Sequence, residues 1–245
     1  MPDLEKGRSE DHPEGAIDYF GGVDTPLVRF KARISLRARR SMFDRFMQEF
    51  APRRDTTVID VGVTPDDKLV DSNAFEQFYP YKDRITATSF EDATSLEKAY
   101  PGLRFVQTSG KDLPFPDGDF DLAFSSAVLE HVGDREAQRE FVREVMRVAD
   151  GFFIAVPNRW FPLELHTFLP LIHWLPKKLH RAILGRLGKD FWAREENLNL
   201  VGAGEMRSLF PPEVQVRIYR QRLLGMTSNI VAYGRSVRVA NSAAA

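Results

Sequence analysis

The ten residues from Thr57 to Asp66, TVIDVGVTPD, constrain the fold of this 245-residue chain more than any other stretch. A short β-branched run ends in Asp60, Gly62 and a turn. Nucleotide-binding α/β domains begin in this way, with a buried parallel strand, a tight turn and a ligand at the carboxyl end of the strand. A glycine-rich loop would contain two or three glycines, whereas this loop has Gly62 alone. The rest of the chain must therefore identify the ligand.

The composition is that of one water-soluble domain. With 43% hydrophobic residues the chain can bury a sizeable core, and we expect one domain over residues 26–245 behind a loosely ordered segment at 1–25. A formal net charge of −1 gives no electrostatic reason to expect nucleic acid as a partner. The chain has no cysteine, which excludes disulfides and thiolate metal sites. A polar N-terminus and the lack of an apolar run of roughly 18 residues predict a cytoplasmic protein.

Residues 26–50 predict one amphipathic helix, because apolar residues recur along them at helical spacing. These residues are Leu27, Phe30, Ile34, Ala38, Met42 and Phe46. The other face carries the cations Arg29, Lys31, Arg33, Arg37, Arg39, Arg40 and Arg45. That face fits a solvated surface over the edge of a sheet, and it also fits a lid or a contact with an anionic surface.

Strands then alternate with helices, which predicts a doubly wound parallel sheet. The predicted strands are 57–61, 84–88, 103–108, 120–125 and 152–156. The predicted helices are a short one that ends before Pro80, one over 91–99, and one over 134–148 with Asp134 as its N-cap. Residues 159–200 break this rhythm and are expected to form a helical cap. The closing strands, 214–220 and 228–237, have no helix between them, so we expect them to pair antiparallel.

Ligands of an open parallel sheet bind beyond the carboxyl ends of its strands, which selects the loops 60–67, 89–92, 109–112 and 125–132. Two extended motifs lie here: residues 112–121 read DLPFPDGDFD, and residues 126–132 read SAVLEHV. The triplet PNR follows the fifth strand at 157–159. In these motifs the chain resembles the class I S-adenosylmethionine-dependent methyltransferases, of the small-molecule group that includes the ubiquinone and menaquinone biosynthesis enzymes. The resemblance covers about residues 56–157, with a weaker likeness to about residue 235.

The resemblance implies a Rossmann-like, doubly wound sheet of seven strands, mostly parallel with an antiparallel last strand. It also implies S-adenosylmethionine as the cofactor. Asp60 and Gly62 match the family's first motif, and Leu113 matches the loop on the adenine side. Ala127 to His131 match the floor of the cofactor pocket near the methyl group. The structural alternative for Asp60 is a cap at the end of its strand.

Several cofactor positions differ from the family's pattern. Thr64 and Asp66 stand where the first motif has its second and third glycines. Ser89 stands where an acid binds the ribose hydroxyls, and Ser109 where an acid meets the adenine amino group. A serine accepts one hydrogen bond where a carboxylate accepts two charge-assisted ones, a loss of about 1–3 kcal/mol per site. The nearby acids that would compensate are Asp67, Glu91 and Asp112.

Glu130 and His131 form the candidate catalytic pair. His131 would act as a general base, because imidazole titrates near working pH; the alternative is that both residues cap the following helix. In the cap, Glu164 and His166 are candidate substrate contacts or a structural pair, and Asn158 is a further substrate candidate. We expect no metal, because the histidines at 131, 166, 173 and 180 are too scattered for the spacing of a metal site.

Residues 165–189 contain no acid, and they carry five cations among aromatic and aliphatic side chains. Such a segment suits an anionic membrane surface or a lipid-linked substrate, and it equally suits a cap packed on its own domain. The expected function is methyl transfer to a small-molecule or lipid-linked acceptor. The alternatives are a degenerate methyltransferase fold that serves as a binding or scaffold protein, and an enzyme that uses another ligand.

Overall fold

The computed structural model describes residues 26–65 and 70–236, with side chains from Ala32 onward. The predictions for residues 1–25, for Asp66 and Asp67, and for the side chains of residues 27–31 therefore lie outside the described residues. The described strands are β1 (Val58–Val61), β2 (Ile85–Ser89), β3 (Arg104–Gln107), β4 (Phe120–Ser126), β5 (Ala149–Pro157), β6 (Arg217–Leu223) and β7 (Met226–Arg235). The described α-helices are α1 (Pro26–Phe50), α2 (Ala74–Phe78), α3 (Ser95–Ala99), α4 (Arg135–Val148), α5 (Lys177–Arg186), α6 (Asp190–Ala193) and α7 (Ala203–Arg207).

The strands form one seven-stranded sheet in the order β3-β2-β1-β4-β5-β7-β6. Strands β1 to β5 pair in parallel, and β7 is antiparallel to both of its neighbours. The switch in strand order falls between β1 and β4, where ligands of doubly wound sheets bind. This topology confirms the predicted Rossmann-like sheet, mostly parallel with an antiparallel last strand.

The closing hairpin begins later than the sequence predicted. Leu223 and Met226 still pair with each other, and only Leu224 and Gly225 form the turn, with φ values of 51° and 80°. Two consecutive residues with positive φ are the signature of the tight type I′ turn that joins twisted strands. The predicted boundary of the sixth strand at 220 is therefore wrong by three residues, because apolar Leu223 belongs to the strand.

The two faces of the sheet carry separate cores, as expected of a doubly wound fold. On one face, the apolar side of α4 buries Phe141, Val142 and Val145 against β1, β4 and β5. On the other face, Phe46 of α1 is fully buried and contacts the rings of Phe124 and Phe153 at centroid distances of 5.7 and 5.6 Å. The predicted amphipathic helix over residues 26–50 is thus confirmed, and it covers the second face of the sheet rather than its edge.

Local side-chain hydrogen bonds set two helix starts. Asp134 accepts hydrogen bonds from the backbone N–H groups of Glu136 and Ala137, which confirms it as the N-cap of α4. The helix predicted over 91–99 begins only at Ser95, because Asp92 accepts from the N–H of Thr94 and holds residues 92–94 in a turn.

Residues 159–200 form a cap of short helices and loops over the carboxyl end of the sheet. Its ends are joined by a parallel bridge between Asn158 and Val201. Among the described residues, no helix is long and apolar enough to cross a membrane.

Candidate active site

A cavity of about 560 Å³ opens at the carboxyl ends of β1, β2 and β4, between α1 and the cap. It lies at the switch in strand order, where the sequence predicted the ligand. Its lining includes nine of the predicted site residues: Asp60, Gly62, Thr64, Ser89, Glu91, Ser109, Ala127, His131 and His166. The structure therefore brings together, in one space, residues that are up to 106 positions apart in the chain.

The loop after β1 requires its single glycine. Gly62 has φ +103°, and a Cβ atom there would lie 2.1 Å from Cγ2 of Val128. Its N–H and that of Val63 both donate to the carbonyl of Thr88 on β2. The loop after β1 thus packs directly on the loop after β4, with no room for a side chain.

Asn73 holds the same loop where the family's pattern has glycines. Its Oδ1 accepts from the N–H of Thr64 at 3.0 Å, and its Nδ2 donates to the carbonyl of Thr64 at 2.8 Å. Asn73 adopts the left-handed conformation, with φ 49°, which asparagine tolerates better than most residues. Sequence reasoning missed Asn73; its polar side chain just before a helix was the available signal.

Asp60 and Glu76 form a buried pair of carboxyls in the cavity. Burial and the neighbouring Glu76 raise the pKa of Asp60 well above its usual value, and burial raises the pKa of Glu76. Among the described residues, neither oxygen of Glu76 has an N–H or hydroxyl partner. A proton carried by Asp60 and donated to Glu76 gives one Glu76 oxygen a partner, as in carboxyl pairs that share one negative charge.

Arg39 of α1 brings a cation to the same end of the cavity. Its Nε lies 3.6 Å from Oδ2 of Asp71 and donates to Oγ of Ser35. The sequence placed Arg39 on the cationic face of α1, for which both a solvated surface and a lid were open, and the structure places this part of the helix against the cavity. The helix is both a cover of the sheet and one wall of the cavity.

The loop after β2 presents Ser89, Phe90 and Glu91 to the cavity. The hydroxyl of Ser89 accepts from the N–H of Glu91 at 3.3 Å, so it shapes the loop. Phe90 is 59% exposed although it lines the cavity. An aromatic face and a carboxylate therefore stand side by side at the end of β2, and sequence reasoning missed the first of them.

The loop after β3 contributes Ser109, Gly110 and Lys111 to the cavity. The hydroxyl of Ser109 accepts from the N–H of Lys111 at 3.3 Å. Asp112 and Leu113, both predicted to bind the cofactor, do not line the cavity. Leu113 is buried in the core, and Asp112 is exposed. The turn at 108–112, closed by a hydrogen bond from Thr108 Oγ1 to the carbonyl of Asp112, directs them away.

Ala127 and His131 form the floor of the cavity near the cap. Ala127 is left-handed, with φ 60°, an uncommon conformation that reverses the chain at the end of β4. His131 Nδ1 lies 2.6 Å from the carbonyl oxygen of Asn197, so Nδ1 carries the hydrogen and donates. Burial and nearby His166 lower the pKa of His131 to about 3. A base with so weakly held a proton is a poor general base at neutral pH, which favours a binding role over the predicted proton transfer.

Glu130 lies behind His131 and is fully buried, outside the cavity lining. Burial raises the pKa of Glu130 to about 7. Both carboxylate oxygens lack a hydrogen-bond partner among the described residues. A buried carboxyl in this state is more often found at functional sites than in structural cores.

Glu164 and His166 form a close pair in the cap. Glu164 Oε1 accepts from His166 Nδ1 and from the His166 N–H, at 2.6 and 2.9 Å. Its Oε2 accepts from the N–H and the hydroxyl of Thr167, both at 2.6 Å. Burial alone would raise the pKa of Glu164, but these bonds lower it to about 2. Glu164 is therefore ionised and orients His166, which alone of the two lines the cavity.

Asn158 lies where β5 leads into the cap, and it does not line the cavity. Its Nδ2 donates to the carbonyl of Thr227, and its Oδ1 accepts from the N–H of Trp160. Because both ends of its amide are used, the structure favours a structural role over the predicted substrate contact. The cap residues that do line the cavity include Phe161, Leu165 and Glu196.

Comparison with known proteins gives the fold its name. Residues 76–155 match the family model described as "Methyltransferase domain". The magnesium protoporphyrin IX methyltransferase of Synechocystis PCC 6803, solved with bound SAH, aligns over 89% of this chain and 91% of its own, with a TM-score of 0.54 and 13% identity. The chain has a class I methyltransferase fold.

Two further solved structures share this fold. A protein of Pyrococcus horikoshii aligns over 82% of this chain and 91% of its own, with a TM-score of 0.54 and 13% identity. A SAM-dependent methyltransferase of Methanosarcina mazei aligns over 76% and 95%, with a TM-score of 0.50 and 14% identity. Ajmaline N-methyltransferase of Rauvolfia serpentina is 50% identical over 38 residues, which span 16% of this chain and 12% of that enzyme.

Proposed function

We propose that this chain binds S-adenosylmethionine and transfers its methyl group to a small-molecule acceptor. One observation carries the proposal: a single cavity joins the predicted cofactor positions after β1 and β2 to the residues of the cap. A cavity of about 560 Å³ lies within the range of small-molecule and cofactor sites. The methyltransferase match over residues 76–155 supports the same reaction.

The polar groups at the cofactor end suit the parts of S-adenosylmethionine. Arg39 is a partner for its carboxylate, and the Asp60–Glu76 pair, which holds one negative charge, is a partner for its ammonium group. Glu91 offers two carboxylate oxygens for the ribose hydroxyls, in place of the acid expected at Ser89. The exposed face of Phe90 offers a stacking surface for the adenine ring.

The other end of the cavity suits an acceptor. Phe161 and Leu165 give apolar walls, and His131 and His166 give polar contacts at its floor and roof. When bound, S-adenosylmethionine supplies an electrophilic methyl group. The chain's own contribution is to hold the acceptor and exclude water, because transfer to a good nucleophile depends mainly on positioning.

Calorimetric titration with S-adenosylhomocysteine tests the cofactor part of this proposal. Micromolar binding that weakens in Arg39→Gln supports the enzyme, since loss of one charge-assisted contact lowers affinity by about tenfold or more. Lack of binding at millimolar ligand by the folded protein contradicts it and favours a scaffold protein with a degenerate fold. Transfer of a labelled methyl group to small-molecule and lipid extracts then separates an enzyme from a protein that only binds the cofactor.

We further propose that the acceptor is lipid-linked and that the chain meets it at an anionic membrane surface. Eight of the twelve exposed large hydrophobic side chains among the described residues belong to the cap: Trp160, Leu163, Phe168, Leu171, Trp174, Leu179, Leu187 and Phe191. Exposed apolar side chains gathered in one segment favour an interaction surface. Leu179, Ala182 and Arg186 follow helical spacing on the outer face of α5 and are exposed.

The cap also carries cations, some of which are paired with acids of the chain. Lys177 and Arg181 form ion pairs with Glu205 and Glu195, so they are partly neutralised within the chain. Lys178 and Arg186 remain as exposed cations beside the apolar side chains. A mixture of exposed apolar side chains and cations is typical of surfaces that bind anionic lipid.

A further inference from the structure

Two adjacent side chains that follow β4 meet a third from the cap where the cap covers the sheet. Glu130 and His131 follow β4, and His166 belongs to the cap; one possible ligand atom of each lies within 4.8 Å of those of the other two. His131 Nε2 is 3.9 Å from Glu130 Oε1. The two imidazole rings meet edge to face, with a centroid distance of 4.9 Å. His131 and His166 are thus close in space although they are far apart in the sequence, because the cap returns His166 to His131.

Glu130 lacks the partner that a buried carboxylate needs. Its exposed fraction is 0%, and neither of its oxygens has a hydrogen-bond partner among the described residues. No lysine or arginine forms an ion pair with it in the described part of the chain. Buried carboxylates are costly unless paired with a cation or bound to a metal. One of its oxygens lies within 4.8 Å of a ring nitrogen of each histidine.

Both histidines are oriented as metal ligands are. His131 Nδ1 donates to the carbonyl of Asn197, and His166 Nδ1 donates to the carboxylate of Glu164, each at 2.6 Å. Metal-binding histidines almost always donate one ring N–H to a carbonyl or carboxylate, which fixes the ring and directs the other nitrogen to the metal. Glu164 is itself fixed by Thr167, so each histidine has a hydrogen-bond partner that holds its ring.

We propose that Glu130, His131 and His166 bind one divalent transition-metal ion, of which Zn²⁺ fits best. Two imidazole nitrogens and one carboxylate form a common ligand set for Zn²⁺ and related first-row ions, whereas Mg²⁺ and Ca²⁺ prefer oxygen ligands alone. Ligands about 2.1 Å from an ion are about 3.0–3.4 Å apart. The three side chains would therefore close by about 1 Å or more on binding.

The ion would face the cavity, because His131 and His166 both line it. Three protein ligands leave at least one coordination position for an oxygen of the acceptor. This role in acceptor binding rests on the proposed methyl transfer and narrows the substrate class to acceptors with a metal-binding oxygen. Metal binding itself does not rest on that function, since the ligands belong to the chain alone.

Titration of the untagged, chelator-treated protein with Zn²⁺ tests the site, and Co²⁺ absorption reports its ligand geometry. We expect one equivalent to bind, and Glu130→Gln and His166→Gln to weaken binding by at least 100-fold. Glu164→Gln should weaken it by about 10–100-fold, as loss of an outer-shell partner does. His180→Gln, a cap histidine whose Nε2 also lacks a partner, is the matched control and should bind as the wild type does.

The outcomes separate this proposal from the proposed function. If the folded wild type binds no Zn²⁺, or if His180→Gln loses as much affinity as His166→Gln, the site is overturned. If Glu130→Gln keeps full affinity while its circular dichroism is native, the site is also overturned. Titration with S-adenosylhomocysteine in the absence of metal is measured separately. Cofactor binding without Zn²⁺ binding refutes only the metal site, and Zn²⁺ binding without cofactor binding refutes only the proposed methyl transfer.

Discussion

Asp60 at the end of β1 and Glu76 in α2 share one buried site on the wall of the cavity, and burial raises the pKa of both carboxyls. A group whose pKa is higher in the folded than in the unfolded state stabilises the fold below its unfolded pKa. That stabilisation is lost as pH rises through the folded value. The pair therefore makes the fold less stable in alkaline than in acidic solution.

Glu76→Gln should reduce this pH dependence to the part that comes from the burial of Asp60. The amide is neutral at every pH and can donate to Asp60, so the free energy of unfolding should exceed that of the wild type by about 1–3 kcal/mol near pH 8. The difference between variant and wild type should shrink as pH falls to 5. Urea unfolding across this pH range measures it. Glu140→Gln, at an exposed position on α4, is the control, and a pH-independent difference for Glu76→Gln would contradict the shared site.

Gly62→Ala should destabilise the fold and weaken cofactor binding together. The new Cβ would lie 2.1 Å from Val128 Cγ2, at a φ of +103° that alanine rarely adopts. Strain and a displaced loop should cost about 1–3 kcal/mol. Thermal unfolding and S-adenosylhomocysteine titration measure the two effects. Gly204→Ala in α7 meets no atom within 4 Å and should be neutral or slightly stabilising; equal stability of the two variants would refute the packing argument.

Asn73→Gly should separate backbone strain from hydrogen bonding in the loop after β1. Glycine accepts the left-handed conformation of residue 73, but it cannot bind the N–H and carbonyl of Thr64. We expect affinity for S-adenosylhomocysteine to fall by about tenfold, the value of one to two net hydrogen bonds. Asn73→Ala loses the same bonds and adds backbone strain, so it should also be less stable than Asn73→Gly. Unchanged affinity in Asn73→Gly would show that the loop does not need these two hydrogen bonds.

Glu91→Gln should weaken S-adenosylhomocysteine binding by about tenfold or more, because the amide replaces a charge-assisted acceptor. Asp92→Asn is the neighbouring control. The carboxylate of Asp92 is already used by the N–H and hydroxyl of Thr94, so its loss should leave affinity almost unchanged. Ser89→Asp should partly restore the affinity of Glu91→Gln. If Asp92→Asn has the larger effect, the assignment of the ribose site to Glu91 is wrong.

The double variant Lys178→Glu, Arg186→Glu should reduce binding to anionic liposomes. Each cation near such a surface contributes about fivefold to affinity, so the loss should reach roughly 25-fold or more and should depend on salt. Flotation with and without phosphatidylserine measures it. Lys98→Glu, an exposed position on α3, controls for net charge. If the wild-type protein does not bind anionic liposomes, the proposed membrane-binding surface is refuted.

The sequence predicted the parts of the molecule that depend on local pattern. Short apolar runs between turns gave the strands of the sheet, and Asp134 was recognisable as a cap from its place before an apolar period. Leu113, by contrast, matched a cofactor motif but is buried in the core. Motif matching gives a residue's place in the chain, whereas burial is decided by the path of the turn at 108–112.

The contacts that sequence reasoning missed join residues that are far apart in the chain. Arg39 and Glu76 reach the cavity only because α1 and α2 pack on the same face of the sheet as Phe124. His166 reaches His131 only through the fold of the whole cap. No periodicity or spacing reports such contacts, because they depend on three-dimensional packing between elements that are each predictable alone.

The two hydrogen bonds between the Asn73 side chain and the backbone of Thr64 have a consequence for how the loop after β1 forms. A glycine-rich loop takes its shape from its own backbone and needs no side chain from another segment. Here the loop takes its shape from a side chain nine residues later, so the binding-competent form exists only after the segment before α2 has docked. Amide hydrogen exchange at Thr64 should therefore report the docking of α2, and ligand affinity should fall whenever α2 opens locally.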